Sequence, residues 1–209
     1  MKYFIDFEFL EGDVPYQIKG FNIPKWLIKP NNTIQPISVG ICSSDNREYY
    51  TISKDFNLKE AWNRYDLVKD GFRDCGMTPI YKKVYWIREN VLKPIFIELR
   101  AKEVEEYNIA KRINVVLDFP TYSFCFKEFK RLINKYGKTN KQIAQEIKEF
   151  VGTEETIGNW EQVKDKMNTQ FYGYFADYDW VVFCWLFGRM IDLPKGFPMF
   201  AFDLKQELD

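Results

Sequence analysis

The apolar positions of the chain follow a strand pattern at the start and helical patterns in the middle. Residues 2–9 are rich in Phe and almost free of helix and strand breakers, which predicts a first strand. Residues 37–42 and 47–53 flank the polar turn 43–46 and predict an antiparallel hairpin. Residues 11–36, punctuated by Pro and Gly, predict a loop or an insertion. The first fifty residues therefore predict a three-stranded meander with a long first connection.

Helical spacing of apolar residues dominates the rest of the chain. Thr139 and Gln142 have the spacing of a capping box, ahead of a helix whose apolar face includes Ile143 and Ile147. Strands followed by helices and then by a strand–helix pair are typical of an α/β or α+β domain with helices packed on a mixed sheet. The predicted helices otherwise cover 80–92, 94–114, 124–136 and 179–190, and a buried strand covers 170–175.

Composition narrows the chemistry that the chain can perform. Its 209 residues are 46% hydrophobic, which supplies a core and favours one domain with a large insertion. Thirty basic and thirty acidic residues cancel, so nucleic-acid binding would need a local patch instead of a net charge. There is no histidine, which excludes a His-ligated zinc, a Ser-His-Asp triad and an imidazole base.

Cysteine usage and hydropathy point to the cytoplasm. The cysteines are scattered without a CxxC pair, so neither a disulfide framework nor a Cys-ligated zinc is expected. Acidic residues interrupt the N-terminal stretch where a signal peptide would be apolar. The longest apolar run, 180–187, is too short to span a bilayer. We expect a cytoplasmic protein without membrane association.

Two carboxylates interrupt the apolar first strand. Side chains alternate along a strand, so Asp6 and Glu8 share one face, with Cα atoms about 6.6 Å apart. Like charges inside a sheet repel each other and lose solvation, and a divalent cation offsets both costs. Oxygen ligands suit Mg²⁺ or Mn²⁺. The alternative is an edge strand that carries two solvated acids.

A second acidic site falls where the predicted strand 170–175 turns into a helix. Ligands of α/β sheets bind at strand ends, and Asp179 projects from the start of this helix. Either Asp177 or Asp179 could instead be a helix N-cap, although that does not explain two acids in so aromatic a setting.

Several segments resemble one nuclease family. Phe-Ile-Asp-Phe-Glu-Phe at 4–9, with 37–40 and 47–50, resembles the opening of DEDD-type 3′-to-5′ exonucleases. More narrowly, it is similar to the small bacterial exoribonucleases of the DEDDh branch. The resemblance resumes at 86–92 and is strongest over 171–190. It covers about half the chain.

The resemblance implies a ribonuclease H-like α/β fold, in which helices flank a mixed central sheet. It implies a single exonuclease-like domain over 1–209, with insertions, in part helical, at about 11–36 and about 55–140. It further implies removal of nucleoside 5′-monophosphates from the 3′ end of single-stranded RNA or DNA by a two-metal mechanism, and a homodimer. Two Mg²⁺ or Mn²⁺ ions would be held by Asp6, Glu8 and Asp179.

One family motif has no match in the sequence. The family places a His or Tyr base and a fourth carboxylate after the position of Asp179, but 180–209 contain neither His nor Tyr. The remaining acids there, Asp192, Asp203 and Asp209, do not follow a suitable base. We expect the C-terminal part of the domain to be missing, and the alternative is a fold that has lost catalysis.

Candidate nucleic-acid contacts are aromatic and basic. Aromatic side chains near the acids could stack on bases, and the basic stretch 127–141 could follow a phosphate backbone. The competing interpretations are core aromatics and a solvated helix face. The residues assigned to nucleic-acid binding are Phe7, Tyr174, Tyr178, Trp180, Lys130 and Arg131.

Three other functions stay open at this point. A non-catalytic ribonuclease H-like module would bind nucleic acid or protein without a fourth ligand. A metal-dependent endonuclease would cut circular substrates, which an exonuclease cannot do. A structural or assembly role is the third, because exposed aromatic patches often mark interfaces.

Overall fold

The computed structural model describes residues 1–14, 17–18, 21–22, 31–73, 78–113, 115, 123–152 and 169–208. Two compact units are present. The first combines Met1–Phe56 with Gly137–Asp209, and the second is Asn57–Tyr136. Whether the second unit is an insertion into a family core, as the range 55–140 would suggest, stays a prediction.

The described strands and helices are numbered along the chain. The strands are β1 (Lys2–Val14), β2 (Gln17–Ile18), β3 (Phe21–Asn22), β4 (Asn31–Ser43), β5 (Glu48–Ile52), β6 (Asp66–Arg73), β7 (Thr78–Val84), β8 (Gln170–Gly173) and β9 (Phe202–Asp203). The helices are α1 (Leu58–Asn63), α2 (Lys93–Arg112), α3 (Phe126–Tyr136), α4 (Asn140–Val151), α5 (Ala176–Phe187) and α6 (Leu204–Leu208). A π-helical segment, Arg88–Leu92, leads into α2, and a 3₁₀ turn, Met190–Asp192, follows α5.

The first unit is built on a mixed five-stranded sheet of order β5-β4-β1-β8-β9. β1, β4 and β5 pair antiparallel, which confirms the predicted meander, and β8 pairs parallel with β1. The register pairs Phe7 with Val39 on one side of β1 and Phe4 with Tyr172 on the other. The architecture is therefore α/β with a mixed sheet flanked by helices, as predicted. Among the described residues, no helix has the length and apolar character needed to cross a bilayer.

The two faces of β1 differ sharply. Tyr3, Ile5 and Phe7 are buried in a core that includes Ile147 of α4 and Phe183 of α5. The alternate residues, among them Asp6, point to the exposed face. The strand alternation thus separates the apolar core from the acidic residues.

The predicted capping box at the start of α4 is confirmed. The Thr139 hydroxyl accepts a hydrogen bond from the backbone amide of Gln142. The side-chain oxygen of Gln142 accepts one from the backbone amide of Thr139. Both contacts satisfy donors that an uncapped helix start would leave unpaired. Ile143 and Ile147 then lie buried, as predicted.

The predicted helix over 80–92 is wrong at its start. Residues 78–84 form β7, which pairs with β6 in a hairpin, and helical structure is continuous only from Trp86. The apolar spacing of Ile80 and Val84 suits a helix, but the β-branched and aromatic side chains of this segment also suit a strand. The cross-strand pairing with β6 decides between them.

The predicted loop over 11–36 is in part strand. β1 continues to Val14 and β4 begins at Asn31, and these extensions pair with each other. Pro36 is tolerated inside β4 because it lies opposite Phe9, where the register shifts at a bulge. Residues 15–16, 19–20 and 23–30 lie outside the described residues.

The second unit contains an ion-pair network between α2 and α3. Arg131 donates from two nitrogens to the two carboxylate oxygens of Glu103, at 2.6 and 2.8 Å, and Arg100 donates to Glu103 at 3.1 Å. Glu103 is buried. Its hydrogen bonds from Arg131 outweigh the desolvation and lower the pKa of Glu103 to about 2.

Replacing Glu103 by Gln should change the acid stability of the protein. Because the pKa of Glu103 is lower in the folded than in the unfolded state, its stabilising contribution is complete above the ordinary value of 4.5 and is lost as the pH falls toward 2. The wild type should therefore lose more free energy of unfolding than E103Q over this window, as measured by urea unfolding. Parallel losses in both proteins would contradict the assigned role.

Candidate metal centre

Asp6 and Glu8 lie on the exposed face of β1, as the alternation predicts. β1 is an interior strand of the sheet, with β4 on one side and β8 on the other. β1 as a whole is therefore not an edge strand, but Asp6 and Glu8 are both exposed, so the alternative of two solvated acids stays open. The pairing with β8 extends only to Phe4, so beyond that residue the β8 side of β1 is left for another element.

A tight turn after β8 brings the next helix to this gap. A Cβ on Gly173 would lie 3.0 Å from the Ala176 Cβ, so a larger residue there would push against the start of α5. Phe175 then adopts the left-handed conformation, with φ 55° and ψ 52°, which is strained for a residue other than glycine. The amide of Phe175 donates to Asp203 Oδ1 at 3.2 Å, and this contact holds the turn in place.

Asp179 of α5 closes the gap beside β1. Its Oδ1 accepts a hydrogen bond from the backbone amide of Phe7 at 3.2 Å. Phe7 stands between Asp6 and Glu8 in the sequence, so the three carboxylates become neighbours although more than 170 residues separate the two segments. Asp179 is only 6% exposed.

The electrostatics of the three acids are coupled. Burial, followed by the charge of Asp6 and to a smaller extent that of Glu8, raises the pKa of Asp179 to about 7, against the lowering effect of the Phe7 amide. Burial and the charge of Asp6 likewise raise the pKa of Glu8. The cluster therefore carries negative charge that no nearby cation balances among the described residues, and this is the environment that a divalent cation stabilises.

The donor set fits a hard divalent cation, but the side chains do not form a closed cage. Carboxylate oxygens are the ligands of Mg²⁺ and Mn²⁺. Within the described ranges, no group of three or more His, Cys, Asp or Glu side chains stands close enough to hold one ion. A metal centre at these residues therefore stays a prediction that rests on donor chemistry and charge.

The other acids near this site have different positions. Asp177 is exposed in the first turn of α5. Asp192 forms an exposed ion pair with Arg189 at 2.9 Å. Asp203 accepts from both the Phe175 and Lys205 amides, so it supports the turn that carries Asp179. The sequence gives no signal for this supporting role of Asp203, because its contact with Phe175 joins residues 28 positions apart. Asp209 lies outside the described residues.

The aromatic side chains near the acids fall into two groups. Tyr174 and Tyr178 are more than half exposed, as base stacking would require, and so is Phe175, which the sequence interpretation missed. Phe7 is buried in the core, and Trp180 stacks on Phe183 there with ring centres 5.1 Å apart. This corrects the expectation for Phe7 and Trp180, because packing leaves neither ring free to receive a base.

The two basic candidates differ in their contacts. Arg131 is engaged by Glu103 and Glu128, and its three guanidinium nitrogens all donate within the second unit. This favours a structural role for Arg131 over a phosphate contact. Lys130 is exposed.

Comparison with known proteins adds no family to this description. No protein-family model matches the chain, and no curated protein matches it either. The interpretation of the site therefore depends on its residues.

Asp179→Asn should reveal whether the carboxylates form a charged cluster. A carboxylate whose folded pKa is raised from 3.8 to about 7 destabilises the metal-free protein progressively over that pH range, because the folded state keeps a proton that the unfolded state releases. D179N should thus be more stable than the wild type above about pH 7 without metal. It should also gain less thermal stability on addition of Mn²⁺.

Asp177→Asn is the matched control for this experiment. It removes one acid from the same helical turn, but the Asp177 side chain is exposed. Equal Mn²⁺ stabilisation of D179N and the wild type would show that Asp179 holds no cation. An equal loss in D177N and D179N would show a diffuse charge effect.

Asp203→Ala should weaken the turn before α5. The variant loses a charged acceptor for the Phe175 and Lys205 amides, and we expect a cost of about 1–3 kcal/mol in urea unfolding. Asp192→Ala, which removes an exposed acid, should change stability little. If D203A had the same free energy of unfolding as the wild type, the turn would be held by packing alone.

Proposed function

We propose that the chain is a metal-dependent 3′-to-5′ exonuclease of ribonuclease H-like fold that acts on single-stranded nucleic acid. One observation carries this proposal: the hydrogen bond from Phe7 to Asp179, which joins the acids of β1 to an acid of α5. The mixed sheet, with its antiparallel meander followed by parallel strands, is compatible with that fold.

Each acid has a distinct part in the proposal. Asp6, Glu8 and Asp179 would hold two divalent ions, which supply Lewis acidity and an activated water when bound. Asp6 is the one whose charge most affects both of the others, and it would contribute a carboxylate to holding the ions beside Glu8 and Asp179. Burial of Asp179 strengthens its interaction with a cation, since the screening by water is reduced there.

Exposed rings would orient the end of the strand. Tyr174, Phe175 and Tyr178 surround the start of α5, and Tyr178 stacks on Phe9 with ring centres 5.6 Å apart. Such rings can accept unpaired bases, with stacking worth about 1–3 kcal/mol per base. This would favour single-stranded over paired substrates.

The absence of histidine limits the proposed rate. No imidazole of this chain can take the proton from the attacking water. A positioned general base contributes about 10²–10⁴-fold, so we expect slow turnover from the chain.

The proposal predicts a ladder on 5′-labelled RNA or DNA. With Mn²⁺ or Mg²⁺, the label should appear on products that shorten from the 3′ end, and EDTA should stop the reaction. Asp6→Asn should abolish the ladder without unfolding, because it removes a carboxylate proposed to hold the ions. Asp177→Asn should keep it. Full activity in D6N would overturn the assignment, and cleavage of a circular substrate would point to an endonuclease.

A binding module of the same fold is the second candidate. It is favoured by the missing base and by the contacts of Asp192 and Asp203, which are both engaged within the fold. It predicts binding of single strands with no metal-dependent ladder from either the wild type or D6N.

A further inference from the structure

A cavity of about 180 Å³ opens in the first unit, away from the three carboxylates. β4, the loop after β5, the start of α4 and the second half of α5 each contribute part of its wall. Val182 and Trp185 of α5 line it, and Trp185 lies about 9 Å along the helix from Asp179 by the helical rise. The cavity and the candidate metal centre thus share one helix.

Part of the cavity lining is apolar. Trp185 is 49% exposed, and its neighbours in the lining include Ile34, Pro36 and Leu186. An indole half open to solvent beside aliphatic side chains is a surface on which a planar ring can stack.

Another part of the lining is polar, and hydrogen bonds hold it in place. Ser53, which is fully buried, donates to Asn140 Oδ1 at 2.7 Å and accepts from the Asp55 amide at 3.0 Å. Asp55 Oδ2 accepts from the Asn140 amide at 2.7 Å. Among the described residues, the Asn140 Nδ2 donor and the Asp55 Oδ1 acceptor have no protein partner.

The charge of the lining restricts the ligand. Asp55 is the only ionisable residue among the described lining residues, and there is no Lys or Arg to bind a phosphate. A purely cationic ligand is disfavoured because the Asn140 amide offers a donor, and because Trp185 is the only aromatic residue of that lining. A neutral planar ring that carries an exocyclic amino donor beside an acceptor on one edge matches both the apolar and the polar part of the lining.

We propose that this cavity is a nucleobase subsite, in which the base stacks on Trp185 and its edge pairs with Asn140 and Asp55. The carboxylate accepts from an exocyclic amino group, so adenine, guanine and cytosine should bind better than uracil. The identity of the ligand rests on the proposed nuclease function, whereas the cavity and its polar pair do not.

The test is a titration of the full chain with free nucleosides, without metal. Indole N–H signals are followed by NMR, and W185F assigns the signal of Trp185 among the six tryptophans. We expect that signal to shift with adenosine, guanosine and cytidine at lower concentration than with uridine. Trp185→Ala removes the reporter ring, so its binding is followed by saturation transfer to the nucleoside protons. It should weaken binding about tenfold or more by this measurement, whereas W86A, which removes an exposed tryptophan outside the cavity, should not.

Asp55→Asn tests the edge contact separately from stacking. The variant keeps a side-chain oxygen that accepts from the backbone amide of Asn140. It replaces the other carboxylate oxygen, which would accept from the base, by an NH₂ donor. It should reduce or reverse the preference for amino-bearing bases over uridine, a result that a merely structural role of Asp55 would not give.

Several outcomes would overturn the subsite. These are no shift with any nucleoside up to its solubility limit, equal binding of all four with no effect of D55N, or binding of an alkylammonium ion alone. Tighter binding of a nucleoside 5′-monophosphate than of its nucleoside would also contradict a lining without cations. The titration measures binding and not cleavage, so it is independent of the D6N ladder experiment. Nucleoside binding together with full cleavage by D6N would overturn the nuclease and keep the subsite. No nucleoside binding together with an inactive D6N would overturn the subsite and keep the nuclease.

Discussion

The hydrogen bond between the Phe7 amide and Asp179 is the contact on which the candidate site depends. It forms because β8 stops pairing with β1 at Phe4 and leaves an unpaired edge inside the sheet. A backbone amide there needs an acceptor, and the Asp179 carboxylate supplies one. The same contact that satisfies the backbone brings a third negative charge to two others, so local folding and the charge of the site have one cause.

The strained turn after β8 shows how this contact is made possible. Gly173, the left-handed Phe175 and the Asp203 acceptor shape the turn between β8 and α5, and the first turn of α5 then brings Asp179 to the Phe7 amide. Strain of this kind persists where the surroundings over-determine it, and it is common at functional sites. The apolar face of α5 then packs on Ile5 and Phe7. This packing keeps the Asp179 carboxylate buried next to β1.

Some features of this turn and of the nearby cavity could be anticipated from the sequence, and others could not. The D-x-E alternation placed Asp6 and Glu8 on one face, because side-chain direction in a strand depends on local periodicity. The strand–helix junction pointed to two acids, Asp177 and Asp179, and the family resemblance favoured Asp179. Asp203 and the Ser53–Asn140–Asp55 arrangement were not visible, because each joins segments far apart in the chain. The prediction that Trp180 stacks on a nucleic-acid base is wrong, because its ring is packed in the core. Aromatic character in the sequence does not separate a core ring from an exposed one.

The order of elements along the sequence left the α/β and α+β classes open. By itself, the sequence determined the meander, the capped start of α4 and the acidic pair on β1. These follow from side-chain alternation and from capping chemistry, which act over a few residues. Only the tertiary structure decided that residues 78–84 are a strand, that Pro36 sits at a bulge and that Asp179 meets β1. Those outcomes depend on pairing and packing between distant segments, and the local pattern is compatible with more than one of them.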